Sequence, residues 1–115
     1  MIVTSNSNDC IIIQVKEDAT SFPIGIAEAS YMSSEDMFYF NRLYVNPKYR
    51  KNNYGTRLLN TLLDYIDSIN VILCLDINPY GEMTYDQLKN FYMKHGFKET
   101  DGYRLLYRAG GRSNG

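Results

Sequence analysis

At 115 residues, with 44% hydrophobic and 14% aromatic content, the chain has room for one hydrophobic core and not two, and is no disordered polymer. Its net charge of −1 argues against general polyanion binding, so any basic site has to be local. No apolar run approaches the roughly 18 residues that span a bilayer, and "MIVTSNSNDC" lacks a basic region followed by an apolar one, so neither a membrane span nor secretion is signalled.

"CIIIQVK", residues 10 to 16, is a β-branched run that reads as a strand. "SFPIGIAEASYM" reads as a second, with Pro23 at its entry and Gly25 a candidate bulge. "SSED" turns into a third and strongly aromatic strand, "MFYFNRLYV", which Pro47 ends. From Tyr54 the period changes. Leu58, Leu59, Leu62, Leu63, Ile66 and Ile69 fall on one helix face, through about residue 69. "NVILCLDI" suits a central strand covered on both faces. "TYDQLKNFYMKH" reads as a second helix, with Thr84 and Gln87 as a capping box and Gly96 as its stop; Leu88, Phe91 and Tyr92 share its inner face. "YRLLYR" is the last strand. The order β-β-β-α-β-α-β implies an antiparallel meander feeding a crossover, hence an α/β fold with a mixed sheet and helices packed on it. A single domain over residues 1–108 and a flexible tail over 109–115 are expected. Cys10 and Cys74 sit in apolar strands, where a buried free thiol is usual. The expected compartment is therefore the reducing cytoplasm.

The segment "NPKYRKNNYGTRLL" stands out. Between Asp36 and Asp64 there is no carboxylate, while Arg42, Lys48, Arg50, Lys51 and Arg57 all fall in that gap. A helix start leaves backbone N–H groups without internal partners and adds the positive end of its dipole. Several such groups aimed at one point form an anion site without any side chain. Asn52, Asn53 and Gly55 tolerate the tight curl this needs. Spacing alone leaves two readings open, an anion site and a solvated basic turn.

"LYVNPKYRKNNYGTRLL" resembles the acetyl-CoA motif of the GNAT superfamily of N-acetyltransferases, Gln/Arg-x-x-Gly-x-Gly/Ala between a strand and a helix. Arg50 takes its first position, Gly55 its last, and Asn53 stands where the first glycine is expected. "LKNFYMKHGFKE" is similar to the family's A-x-x-L-Y-x-K-x-G-F signature, with Phe91, Tyr92, Lys94, Gly96 and Phe97 in register. Leu88 replaces its small residue, and Tyr85 stands where an asparagine is often found. The resemblance covers roughly residues 38 to 108. The pair of helices common between the family's first two strands has no room here, an abbreviation shared with small phage-type members.

The resemblance implies transfer of an acetyl group from acetyl-CoA, a co-substrate, directly to a primary amine on a protein or small molecule. It places the diphosphate on backbone N–H groups of Lys51, Asn52, Asn53, Tyr54, Gly55 and Thr56, with Arg50 and Lys51, and Arg57 beside them, adding charge. The pantetheine arm is expected along the main chain of Leu43, Tyr44 and Val45, where a backbone N–H meets the tetrahedral oxyanion. Tyr92 is the candidate acid for the leaving thiolate, since a phenol stays protonated where a thiol of pKa about 8.5 ionises. Glu28 and Asp76 are candidate bases, each against a reading as an outward strand residue. Glu82, in "NPYGEM", is a candidate for the acceptor side. His95 is read as structural, in the last helical turn. No metal site is expected from one histidine and two distant cysteines.

Two other readings remain. One is a CoA-binding or protein-interaction module of the same fold without turnover. The other is a nucleic-acid module stacking bases on Tyr49 and Tyr54, which the near-zero net charge disfavours. No membrane partner is expected, and monomer and homodimer both stay open.

Overall fold

The amino-terminal alternation folds as a meander of β1 (Ile2–Asn6), β2 (Cys10–Val15), β3 (Gly25–Met32) and β4 (Met37–Val45). Then follow a 3-10 helix over Pro47–Asn52, helix α1 (Tyr54–Ile69), β5 (Ile72–Asp76), helix α2 (Tyr85–Lys94), β6 (Lys98–Glu99) and β7 (Arg104–Arg108). The computed structural model describes residues 1–7, 9–78, 83–100 and 102–112, with Lys51 described by its backbone alone. The strands form one mixed sheet in the order β1-β2-β3-β4-β5-β7-β6, as the expected α/β architecture requires. Two strands are additional to those read from the sequence. β1 is an exposed edge strand held on β2, and β6 is a two-residue pairing on β7.

Both helices lie on one face of the sheet. Ile11, Ile13 and Val15 pair across β2–β3 with Ala29, Ala27 and Gly25, and these alternate residues are buried. Leu58, Leu59, Leu62, Leu63 and Ile66 of α1 are fully buried over them. Each such side chain stabilises the fold by about 1.5–3 kcal/mol. Gly25 is no bulge. It sits where α1 comes closest, and a Cβ there would meet Leu58 Cδ1 and the Tyr44 carbonyl oxygen, each at 2.8 Å. Ile69, expected on the inner face, is 38% exposed, because the helix stops at Asn70 in the left-handed region (φ 57°). Helix α2 is held by the expected capping box, with Thr84 Oγ1 accepting from Gln87 N and Gln87 Oε1 accepting from Thr84 N. An aromatic chain of Phe40, Tyr92, Phe97 and Tyr107 ties α2 to the same face.

The opposite face carries Ile12, Glu28, Tyr39, Cys74, Asp76, Arg104 and Leu106 by strand register. No helix among the described residues covers it. Both cysteines are free; Cys74 is buried and Cys10 half-buried. No helix among the described residues is long and apolar enough to cross a membrane.

Chain order extends past residue 108. Asp67, on α1, accepts from Gly110 N at 2.7 Å, Tyr107 Oη at 2.7 Å and an Arg112 guanidinium nitrogen at 2.8 Å, while the same nitrogen reaches Asp64 at 2.6 Å. Residues 109–112 are thus docked on the helix instead of forming the start of a loose tail; residues 113–115 lie outside the described residues. Burial opposes ionisation of Asp67, but the donors from Gly110, Arg112 and Tyr107 outweigh it and hold the carboxyl below its ordinary value. A depressed carboxyl stabilises the fold above its unfolded pKa of about 3.9 and loses that contribution as pH falls toward its folded value. Urea midpoints should therefore drop below about pH 4, and Asp67→Asn should flatten that drop. Arg112→Ala should cost about 1–3 kcal/mol at neutral pH.

Candidate functional site

The basic loop is shaped by its own side chains. Asn46 Oδ1 accepts from Lys48 N at 3.0 Å, which starts the 3-10 turn at Pro47. The turn ends at Asn53 in the left-handed region (φ 61°, ψ 22°), the conformation that asparagine tolerates best after glycine. Asn53 is also the residue preceding α1, yet its side chain makes no capping hydrogen bond, and the first helical turn holds no acidic residue. The first intrahelical bond there is Arg57 N to Asn53 O at 3.1 Å. The amides of Tyr54, Gly55 and Thr56 therefore face the loop without an intrahelical acceptor, at the positive end of a 16-residue helix.

Arg50 folds back, its Nε donating to Val45 O at 3.1 Å, so the guanidinium is anchored between the end of β4 and the loop. One carboxylate reaches this region from outside the acid-free stretch. Glu17 accepts from Tyr49 Oη at 3.0 Å, a contact across 32 residues that the sequence did not announce. Tyr49 packs edge to face on Tyr54 (6.1 Å), and Arg57 lies over the Tyr54 ring (5.4 Å). The two rings that would stack bases are thus packed against each other.

Beyond the loop the sheet opens. β4 and β5 run parallel, and among the described residues their ladder consists of two pairs, Phe38 with Leu73 and Tyr39 with Cys74. A bulge lies beside the split. Glu28 pairs with Arg42 and Ala29 with Phe40, leaving Asn41 as the extra residue, its amide bonded to Ser30 Oγ. The strands then diverge around a cavity of about 290 Å³ lined by Tyr39 to Tyr44 on one side and Leu75 to Asn78 on the other, with Leu88 and Tyr92 of α2 as its wall. Leu43 and Tyr44 are among the lining residues. Val45 is not among the lining residues, and its carbonyl is engaged by Arg50. Tyr92 reaches the cleft because its ring is wedged between Phe40 (6.1 Å), Phe91 (5.2 Å) and Phe97 (5.5 Å).

The two candidate bases are separated. Glu28 stands on the uncovered sheet face opposite Arg42 and lines neither described cavity. Asp76, at the end of β5, lines the cleft. Its Oδ1 accepts from Arg104 Nε at 3.0 Å and its Oδ2 from Tyr39 Oη at 3.3 Å. Burial first, and then the Asp76 charge, push the Tyr39 phenol above its ordinary pKa, so it stays a donor. Arg104 also binds Glu35 at 2.8 Å, and this triad links residues too far apart in sequence to be paired by spacing. His95 Nδ1 lies 2.7 Å from Phe91 O, one turn back on α2. Cys74 is buried beside Tyr39, and burial pushes its thiol up, away from reactivity. Glu82 lies outside the described residues. No cluster of metal-ligating side chains occurs among the described residues.

A loop of backbone donors, a split parallel pair and an aromatic helix wall are features that other proteins share. No curated relative matches the chain. Solved structures match its fold. Anti-CRISPR protein AcrVA5 is 16% identical with a TM-score of 0.65, covering 86% of this chain and 98% of that one. The ribosomal-protein-S18-alanine N-acetyltransferase of Escherichia coli is 17% identical with a TM-score of 0.68, covering 90% and 72%. The PaiA N-acetyltransferase of Thermoplasma acidophilum, in complex with coenzyme A, is 23% identical with a TM-score of 0.63, covering 87% and 61%. The chain thus spans nearly all of the first and about three fifths of the last. Residues 8–99 match the model of the acetyltransferase (GNAT) domain, which is most of the chain. The protein belongs to the GNAT family of acetyltransferases.

Proposed function

We propose that the chain moves an acetyl group from acetyl-CoA directly to a primary amine. The observation that carries this reading is the continuity of two features. An uncapped helix start at Asn53–Thr56 adjoins a cleft between β4 and β5 that Tyr92 walls. The diphosphate of acetyl-CoA would rest on the main-chain amides of Lys51 to Thr56 beside Arg50, and a coenzyme A complex of a structural neighbour supports that ligand. Its peptide-like arm would run along Leu43, Tyr44 and Val45 toward the Asn41 bulge.

The amine nitrogen attacks the thioester carbonyl carbon, and a new C–N bond forms as the C–S bond breaks. The ammonium form first gives a proton to water or a neighbouring carboxylate. After attack the nitrogen loses a second proton to solvent, the Tyr92 hydroxyl gives its proton to the departing sulfur, and Tyr92 is reprotonated from solvent. Of Glu28 and Asp76, only the latter lines the cleft, which supports it as the carboxylate that takes a proton. Two free thiols are compatible with action in a reducing cytoplasm.

Calorimetry with acetyl-CoA followed by thiol release over a panel of amines tests the reading. Stoichiometric binding followed by amine-dependent thiol release is expected. Heat without thiol would instead identify a module that binds the coenzyme but does not turn it over, and no heat would remove the coenzyme altogether.

A further inference from the structure

The connector between β2 and β3 reaches the basic loop at two points. Ile24 O accepts from Asn46 N at 2.8 Å, which fixes the chain where the 3-10 turn begins. Glu17 Oε1 accepts from Tyr49 Oη at 3.0 Å, which fixes the turn at its middle. The connector is itself held in shape. Asp18 accepts from Thr20 N at 2.9 Å, Thr20 Oγ1 at 2.8 Å and Ser21 Oγ at 2.9 Å, and Ile24 N donates to Val15 O at 2.7 Å. Glu17 lies between the end of β2 and this self-bonded turn.

The contact runs on to the helix start. Tyr49 N donates to Asn46 O at 2.8 Å, and the Tyr49 ring, half-buried against the core, meets the Tyr54 ring edge to face at 6.1 Å. Tyr54 is the first residue of α1 and follows the left-handed Asn53. A path of one carboxylate, one hydroxyl and two packed rings therefore joins the connector to the amides of Tyr54, Gly55 and Thr56. The Glu17 hydrogen bond first, and then its charge, push the Tyr49 phenol above its ordinary pKa, so the hydroxyl remains the donor.

The contact comes at an electrostatic cost. Residues 37–63 hold no carboxylate, yet Glu17 enters their neighbourhood from outside and meets a neutral hydroxyl there. A carboxylate near a diphosphate site opposes the ligand. What offsets this is order, since a site whose donors already converge loses less conformational freedom on binding. We propose that Glu17 is a positioning residue for acetyl-CoA: acting through Tyr49, it braces the 3-10 turn so that the helix-start amides are aimed before the diphosphate arrives. The inference rests on the acetyl-CoA reading of the loop given above, and adds to it a residue distant in sequence that acts without touching the ligand.

A brace and a bare charge predict opposite signs. Acetyl-CoA binding is titrated by calorimetry, well below the melting temperature, for wild type, Glu17→Ala, Glu17→Gln and Tyr49→Phe at low and high salt. Thiol release with the amine panel gives their kinetics. Glu17→Ala and Tyr49→Phe should each weaken binding about fivefold, the equivalent of one net hydrogen bond, and the loss should persist at high salt. Glu17→Gln should bring the affinity back to within about twofold of wild type, because its amide oxygen still accepts from Tyr49. The KM for acetyl-CoA should follow these affinities while kcat and the amine KM stay unmoved, a split that a general loss of stability does not produce. A carboxylate acting by charge alone would instead make Glu17→Ala and Glu17→Gln bind tighter alike, with salt erasing the difference. That result, or wild-type affinity in both Glu17→Ala and Tyr49→Phe, overturns the brace and leaves the transferase reading standing. A wild type that does not bind acetyl-CoA overturns both. Should Glu17→Ala fail to fold, Tyr49→Phe, which keeps the ring on Tyr54, decides alone.

Discussion

Replacing Tyr92 with phenylalanine should lower turnover about 100-fold while acetyl-CoA affinity stays within about twofold, the signature of an interaction made only as the thiolate leaves. The substitution keeps the ring that Phe40, Phe91 and Phe97 enclose, so the cleft wall survives and stability should barely move. Two other phenols line the cleft, Tyr39 and Tyr44, both from β4. Tyr39 donates to Asp76 at the end of β5, and Tyr107, away from the cleft, donates to Asp67 on α1. Tyr92 is the one whose ring both belongs to α2 and lines the cleft. A variant with full turnover, or one whose loss lies wholly in acetyl-CoA binding, would return Tyr92 to the role of a packing residue.

Much of the frame was legible in the residues. The spacing of Leu58, Leu59, Leu62, Leu63 and Ile66 specifies one buried helix stripe, and the Thr84–Gln87 box marks where α2 begins. Local chemistry of this kind acts within a few residues, so it can be read from a string. The gaps have a common cause. β1 has a weak pattern because it is an exposed edge with one partner, and β6 is too short to show a period. The bulge at Asn41 arises from a mismatch between β3 and β4, which neither strand reveals alone. Gly25, the more obvious bulge candidate, is instead demanded by the approach of α1.

The site divides the same way. Asn53 and Gly55 could be placed because loop and helix adjoin in sequence. The ion-pair cluster at the end of β5 could not, since Glu35, Asp76 and Arg104 come from a hairpin turn, the end of β5 and the start of β7. A cue existed in hindsight: both Asp76 and Arg104 sit at strand ends flanking an apolar run, where an unsupported charge would be costly to bury. That cue says each needs a partner without naming which.

Changing Gly55 to aspartate should move stability and binding in opposite directions, and this contrast tests the loop most directly. A Cβ at Gly55 would have as its nearest neighbour Val45 Cγ2 at 3.9 Å, an ordinary contact, so the protein itself has space for a side chain there. Replacing glycine in a helical turn gains about 0.5–1 kcal/mol of backbone entropy, and a carboxylate at a helix start adds about 0.3–1 kcal/mol. The free variant should therefore melt a few degrees higher than the wild type. A first turn without any acidic residue, at a helix that an acid would stabilise, fits a surface kept for an external anion. With a carboxylate about 5 Å from a diphosphate, each added charge pair opposes binding by about 3 kcal/mol at an effective dielectric of about 20. Acetyl-CoA affinity should fall by about 100-fold or more, partly recovering at high salt. If the variant melts higher and still binds acetyl-CoA like the wild type, the diphosphate lies elsewhere, and the basic loop is the solvated turn that its spacing alone also allows.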